Sequence, residues 1–295
     1  MVSPLRKNAF VVYNPAAGQN SRVLQPTLKL LRRLGVECVE GMTEQAGHAQ
    51  YLVATAVKSG GFDVIVAAGG DGTINEAITG IGGSGMPLGI IPIGTANVLA
   101  MEIGLRLDPD AIARTIAFGL VRNIHLGLVD GRVFFLMASA GFDARVVAGV
   151  SSAVKKIFGK GAYALSGLRQ IARANLPALK VTVEGEEHDA AWAIVSNAKL
   201  YGGKYLLAPD TDLYSPGFSV VLFQGNSALG IMLDLWAIFR GRAGRSSRIK
   251  ILQGADITIA GDMAEPAQAD GDLTGRLPVS ITSSPHSLNL IVPDG

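Results

Sequence analysis

A chain of 295 residues with 48% hydrophobic content is long enough for one large or two ordinary domains with real cores, which excludes a disordered or tail-like protein. A formal net charge of +2 is too small for a nucleic-acid surface spread over the whole molecule. The single cysteine, Cys38, excludes an internal disulfide and any thiol cluster for structural zinc.

In chain order, Met1 to Lys7 carries two basic residues but leads into only five apolar residues before Asn14-Pro15. That is no secretory core, so a cytoplasmic protein is expected. Short apolar runs then alternate with segments of helical periodicity. The runs are Ala9 to Tyr13, Val36 to Val39, Val64 to Ala68 and Leu88 to Ile91; the helices fall near Ser21 to Leu34, Ala46 to Ser59, from Thr73, Asn97 to Ile103 and Pro109 to Phe118. This βαβα order with near-continuous apolar strands predicts a parallel sheet covered on both faces. Ligands of such sheets bind in loops at the carboxyl ends of the strands.

Residues 77 to 101 hold no charge, and mean hydropathy is +0.34. The same window contains six glycines, Pro87 and Pro92, so buried strands and tight turns explain it and a spanning helix does not. Beyond about residue 122 the pattern becomes strand-like: Ile124 to Val129, Val133 to Met137, Leu179 to Val183, Ala190 to Val195, Phe218 to Phe223, Ile249 to Leu252, Ile257 to Ile259, Val279 to Ile281 and Leu288 to Val292. Turn residues between them predict an antiparallel, β-rich second domain, interrupted by helices near Ser151 to Ala174 and Ala228 to Phe239. The expected domains are 1–122, which the last residues 285–295 could rejoin, and 123–284.

The most informative run is Gly69-Gly70-Asp71-Gly72-Thr73-Ile74-Asn75-Glu76, directly after the apolar strand at 64–68. Glycines let a backbone approach an anion closely, and the helix start that follows offers free N–H groups to it. Asp71 adds a carboxylate where a bound polyphosphate carries Mg²⁺. No Gly-Lys-Ser/Thr follows, and the spacing is not Gly-x-Gly-x-x-Gly, so neither a P-loop nor a dinucleotide fingerprint is present.

Together with Asn14-Pro15-Ala16-Ala17-Gly18 and Pro92-Ile93-Gly94-Thr95-Ala96-Asn97-Val98-Leu99-Ala100, this run resembles the three ordered motifs of the diacylglycerol kinase catalytic domain, in the soluble bacterial branch related to sphingosine and ceramide kinases. Gly141-Phe142-Asp143-Ala144, the stretch from Lys155 to Arg169, Tyr201-Gly202-Gly203, Ala208-Pro209 and Asp270-Gly271-Asp272 extend the likeness over nearly the whole chain. The resemblance implies a kinase that moves the γ-phosphoryl group of MgATP to a lipid hydroxyl. It implies that Asn14, Pro15, Gly18 and Thr43 border the nucleotide and that Gly69, Gly70, Asp71, Gly72, Thr73 and Asn75 cradle its phosphates. Thr95 and Asn97 join them, and Asp71 holds Mg²⁺ with ATP. Thr43 also reads as a cap for the helix after it, and Asp71 as a turn residue bonding its own backbone.

Where the family carries Asp-Gly-Glu, with Glu as the proposed base, this chain has Asp270-Gly271-Asp272, so the resemblance makes Asp272, one methylene shorter, the base. Asp270 or Asp71 could share that role. The alternative for Asp270-Gly271 is a hairpin turn. By resemblance Asp143 recognises the lipid head group; by position it reads equally as a helix N-cap. Many bacterial relatives bind a structural Mg²⁺ through an aspartate where this chain has Pro216, which makes that site doubtful here, with Asp210 or Asp212 the only nearby substitutes.

Arg240 to Lys250 puts five cations in eleven residues after the apolar Ile231 to Phe239, which suits an anionic membrane surface or an ordinary packed helix and solvated loop. Lys155, Lys156, Lys160 and Arg169 would add to that surface. Transient residence at the inner face of the membrane and a homodimer are both compatible with this reading; a nucleic-acid partner is not expected. Two alternatives stand: a NAD kinase-like enzyme, which shares Gly-Gly-Asp-Gly, and a non-catalytic nucleotide- or lipid-binding relative.

Overall fold

The computed structural model describes residues 5–15, 20–150, 160–172 and 175–294; Ala16, Ala17, Gly18, Lys155 and Lys156 lie outside them. The chain divides into two units, Met1–Ile124 with Pro285–Gly295, and His125–Ser284.

The first unit is α/β. Its strands are β1 (Asn8–Tyr13), β2 (Glu37–Met42), β3 (Val64–Gly69), β4 (Leu88–Pro92) and β5 (Leu120–Ile124), and the last strand of the chain, β20 (Leu288–Val292), joins them in the order β2-β1-β3-β4-β20-β5. Pairing is parallel throughout except between β20 and β5. Every residue of β3 and β4 is buried, which is why both read as unbroken apolar runs. The helices are α1 (Gln25–Arg33), α2 (His48–Ser59), α3 (Asp71–Ile81), α4 (Val98–Glu102) and α5 (Pro109–Phe118). Asp108 caps α5 by accepting the Ala111 N–H at 2.9 Å, and Pro109 fills its first turn.

The second unit is antiparallel. One sheet runs β10-β9-β16-β19-β6-β7, built from β6 (Gly127–Val129), β7 (Arg132–Phe134), β9 (Leu179–Val183), β10 (Glu186–Ala190), β16 (Asp256–Ala260) and β19 (Val279–Ser283). The other runs β15-β14-β11-β8-β17-β18, from β8 (Met137–Ala140), β11 (Trp192–Ser196), β14 (Phe218–Phe223), β15 (Ile249–Gly254), β17 (Pro266–Ala269) and β18 (Asp272–Arg276). Phe134, Val181, Ile257 and Ile281 from the first sheet and Val195, Phe218 and Val220 from the second share one apolar core, so the sheets pack face to face. Among the described residues a small hairpin, β12 (Leu200–Tyr201) and β13 (Tyr205–Leu206), and the α-helices α6 (Phe142–Ala148), α7 (Lys160–Ala172) and α8 (Ala228–Phe239) complete the unit.

The strand expected at 124–129 is two strands, because β5 ends at Ile124 and His125 turns to donate its N–H to Leu213 O at 3.0 Å. The helix expected over 151–174 is described only as α7, and 151–159 fall outside the described residues. Strands β17 and β18 carry few large apolar side chains (PAQA, DLTGR), so no periodicity announced them.

Candidate active site

In the first unit four strand ends lie level. Tyr13 pairs with Met42 and with Ala68, and Gly69 pairs with Pro92. Asn14, Thr43, Gly70 and Ile93 therefore leave the sheet along one edge, the position where open α/β sheets bind ligands. Backbone bonds fix these departures: Asn14 N–H to Ala68 O at 3.2 Å, Thr43 N–H to Tyr13 O at 2.9 Å and Ile93 N–H to Gly69 O at 3.1 Å. Thr43 is buried and does not cap α2, whose N-cap is Gly47. Pro15 is exposed beside Asn14.

The two glycine loops touch. A Cβ on Gly94 would sit 2.4 Å from the Gly70 Cα, and one on Gly69 would sit 2.4 Å from the Thr73 Cβ, so both positions admit only glycine without movement. Gly70 is the extended N-cap of α3 and has no side chain to satisfy the helix start. The first-turn N–H groups of Asp71, Gly72 and Thr73 have no partner four residues back in the helix, and a Cβ on Gly72 would meet nothing within 4 Å. The Asp71 carboxylate takes its own N–H; with the Gly72 and Thr73 donors left over, a glycine-lined helix N-terminus at a strand end is an anion site by its dipole and its donors.

The Asp71 carboxylate reaches across to the start of α4. It accepts from the Val98 N–H at 3.4 Å and the Leu99 N–H at 3.5 Å, so it caps the next helix as well as opening its own. Burial pushes its pKa up, and the backbone N–H groups only partly offset that. Asn97 holds a left-handed backbone (φ 51°), donates its Nδ2 to Gly94 O at 3.0 Å, and leaves its buried Oδ1 without a partner. Thr95 stands exposed between them; Thr73 and Asn75 are half-buried on α3. Glu76, to which sequence reasoning gave no role, accepts the Gly47 and Ala49 N–H groups at 2.8 and 3.0 Å and ties the start of α2 to α3.

These residues fit a magnesium–polyphosphate group. Among the described residues no three acidic, histidine or cysteine side chains converge on a metal position. Mg²⁺ bound with nucleotide needs only one or two carboxylates, the phosphates and water, and a half-desolvated carboxylate beside an unpartnered amide oxygen is such a donor set.

In the second unit Asp143 is no cap: Gly141 holds that position in α6. Its buried carboxylate accepts Ser139 Oγ at 2.5 Å and Gln268 Nε2 at 2.8 Å on one oxygen, and the Tyr201 hydroxyl in a short bond on the other. Burial, then the Asp143 charge, raise the Tyr201 pKa well above its usual value. The turn Asp270-Gly271 has left-handed backbone at both residues (φ 48° and 85°) between β17 and β18, the geometry of a type I′ hairpin. Asp270 spends its carboxylate on the Phe135, Leu136 and Met137 N–H groups at 2.9, 2.9 and 3.1 Å. That commitment corrects the idea that Asp270 shares the base role. Asp272 follows, exposed, at the start of β18.

Gln268 links the two groups: its Oε1 accepts the Gly271 N–H at 2.8 Å while its Nε2 donates to Asp143 and Ser139. A bulge between Ala267 and Gln268 sets that side chain. Tyr201 belongs to a stretch the sequence singled out; Ser139 and Gln268 carry no motif that could have revealed them. Asp212 accepts the Tyr214 N–H at 3.1 Å and Ser215 Oγ at 3.3 Å within its own turn, ahead of Pro216.

Residues 8–129 match the family model of the diacylglycerol kinase catalytic domain, and residues 137–292 match the YegS C-terminal NAD kinase beta sandwich-like domain. A diacylglycerol kinase of Bacillus subtilis is 28% identical, with 97% of each chain covered. One of Mycobacterium tuberculosis is 27% identical, covering 95% of this chain and 93% of its own. A crystal structure of a diacylglycerol kinase from Bacillus anthracis superposes with a TM-score of 0.75 at 21% identity over 97% of each chain, which speaks to the fold.

Proposed function

We propose, from the premise that this chain belongs to the diacylglycerol kinase catalytic-domain family of soluble bacterial lipid kinases, that it is an ATP-dependent lipid kinase acting on diacylglycerol or a related glycerolipid or sphingoid lipid. The observation that carries the reading is the contact between Gly70 and Gly94 beside the uncapped start of α3. It leaves backbone donors where a polyphosphate needs them, and no side chain in the way.

In this reading Asn14, Pro15, Gly18 and Thr43 border the nucleotide. Gly69, Gly70, Gly72, Thr73 and Asn75 receive its phosphates, with Thr95 and Asn97 on the facing loop. Asp71 and the Asn97 amide would hold Mg²⁺, which when bound neutralises charge developing on the phosphates. Asp272 orients the attacking lipid hydroxyl and accepts its proton as the oxygen–phosphorus bond forms and the γ-phosphorus–oxygen bond to ADP breaks. Asp143, with Tyr201, meets the polar head of the acceptor. The protein visits the cytoplasmic face of a membrane to collect that acceptor.

The test is a panel of diacylglycerol, monoacylglycerol, phosphatidylglycerol and a sphingoid base in detergent micelles with radiolabelled ATP, and NAD as a separate arm. A labelled lipid supports the reading. Labelled NADP without labelled lipid makes it a NAD kinase, and nucleotide or lipid binding without turnover makes it a non-catalytic relative.

A further inference from the structure

Helix α8 is apolar on both faces: Ile231 and Ile238 are buried on the inner one. Its one charged residue, Asp234, is fully buried, while Leu229, Met232, Leu233, Trp236 and Phe239 form a single outward stripe at spacings of three and four residues, each 45–63% exposed. Single exposed apolar side chains are ordinary; a contiguous row of five large ones marks an interaction surface. The stripe is organised: Trp236 and Phe239 stack with centroids 5.7 Å apart, Phe239 meets Tyr205, and the Arg240 guanidinium lies 5.6 Å over the Trp236 ring.

The charged residues that line the groove at the end of the stripe are arginines. Asp234 accepts Arg248 Nε at 3.1 Å and the Gly225 N–H at 3.1 Å, so the helix's negative charge points inward and is neutralised there. Arg240, Arg242 and Arg245 are exposed, and none forms an ion pair among the described residues. With Leu233, Trp236, Ala237 and Ser246 they line a shallow groove of about 600 Å³ at the end of the stripe. On α7, which packs against α8, Leu165 and Leu168 are exposed as well.

We infer that the outer face of α8 docks on an anionic phospholipid bilayer, with the stripe inserted at the acyl boundary and the arginine groove on lipid phosphates. The occupant follows from complementarity. A protein partner or a second copy would bury the apolar row equally well, but three exposed guanidiniums with no ion pair among the described residues call for a surface dense in phosphate, and Trp beside Arg is suited to the headgroup level. This surface deepens the lipid-kinase reading and rests on it only for its biological purpose.

Trp236 reports the event directly, because the other tryptophan, Trp192, is fully buried. Its emission should shift to the blue on vesicles of phosphatidylcholine with about 30% phosphatidylglycerol, and hardly at all on phosphatidylcholine alone. Sedimentation with those vesicles should fall about fivefold for each of Arg242→Gln and Arg245→Gln, and weaken as salt is raised. Leu233→Ser with Phe239→Ser should lower it at least tenfold while the melting temperature falls only slightly, since each side chain is about half exposed and Phe239 gives up only its ring contacts with Trp236 and Tyr205. Equal sedimentation of all variants overturns the inference. So does an emission shift that follows protein concentration without vesicles, which would assign the stripe to a second copy. Phosphoryl transfer to a dispersed short-chain diacylglycerol needs no bilayer: a protein active there that ignores anionic vesicles lacks the docking surface alone, and one that binds vesicles without any transfer is no lipid kinase.

Discussion

Replacing Gly94 with alanine tests the paired-loop geometry at its tightest point. The new Cβ would lie 2.4 Å from the Gly70 Cα, 2.9 Å from Asn97 Oδ1 and 3.2 Å from the Gly70 N. Its nearest neighbour is backbone, so no rotamer change relieves the clash; the loops at 69–72 and 93–97 must part by about 1 Å to reach ordinary contact. Such overpacking costs about 1–3 kcal/mol, a fraction of the roughly 5–15 kcal/mol that holds a domain together, so the variant stays folded. Misplacing a phosphate cradle by that distance costs on the order of 100-fold in turnover. The assay pairs thermal unfolding with kcat/KM for ATP in lipid micelles. A Gly94→Ala protein that keeps its activity within about threefold of the parent would refute the claim that these loops jointly seat the phosphates.

Gly72→Ala is the complementary change: the added methyl meets nothing in the protein within 4 Å, so stability should hold or rise by about 0.5–1 kcal/mol while ATP affinity, measured by calorimetry, falls. Asp71→Asn should abolish lipid phosphorylation yet leave the ATP-free protein at least as stable near neutral pH. Because burial raises the folded pKa of Asp71 above the ordinary value of 3.8, the stability from its bound proton is complete below that value and is lost as pH rises through the raised pKa. Melting curves from acid to neutral pH should show that loss in the parent and not in the variant; destabilisation by more than about 1 kcal/mol at neutral pH would contradict it. Asp143→Ala should cost about 1–3 kcal/mol, since the Gln268 Nε2 donor and the Ser139 and Tyr201 hydroxyls would lose their shared acceptor; an unchanged melting temperature would leave Asp143 with no structural role.

Much of the first unit was legible because buried parallel strands announce themselves: β3 and β4 are apolar end to end, and glycine punctuates the loops that follow. The run at 69–76 showed its chemistry in residue types alone. What stayed hidden depends on contacts distant in sequence. Nothing local shows that Asp71 would bond the start of α4, 27 residues on, or that Gln268 would reach back to Asp143 across 125. The division of labour in Asp270-Gly271-Asp272 was equally invisible, because the N–H groups that occupy Asp270 lie on residues 135–137. Strand β18 escaped because its side chains are mostly exposed and carry no period to read. In α8 the periodicity was visible but its sense was not: only coordinates reveal that the acid faces in and the aromatics face out.

The most direct measurement is transfer of radiolabelled phosphate from ATP to diacylglycerol in micelles by the parent protein, with Asp71→Asn and Asp272→Asn run beside it. The expected result is a labelled lipid phosphate from the parent, none from Asp71→Asn, and a loss of roughly 100-fold or more for Asp272→Asn, the size expected when a positioned base is removed. Full activity in both variants, or label in NAD and none in lipid, would contradict it.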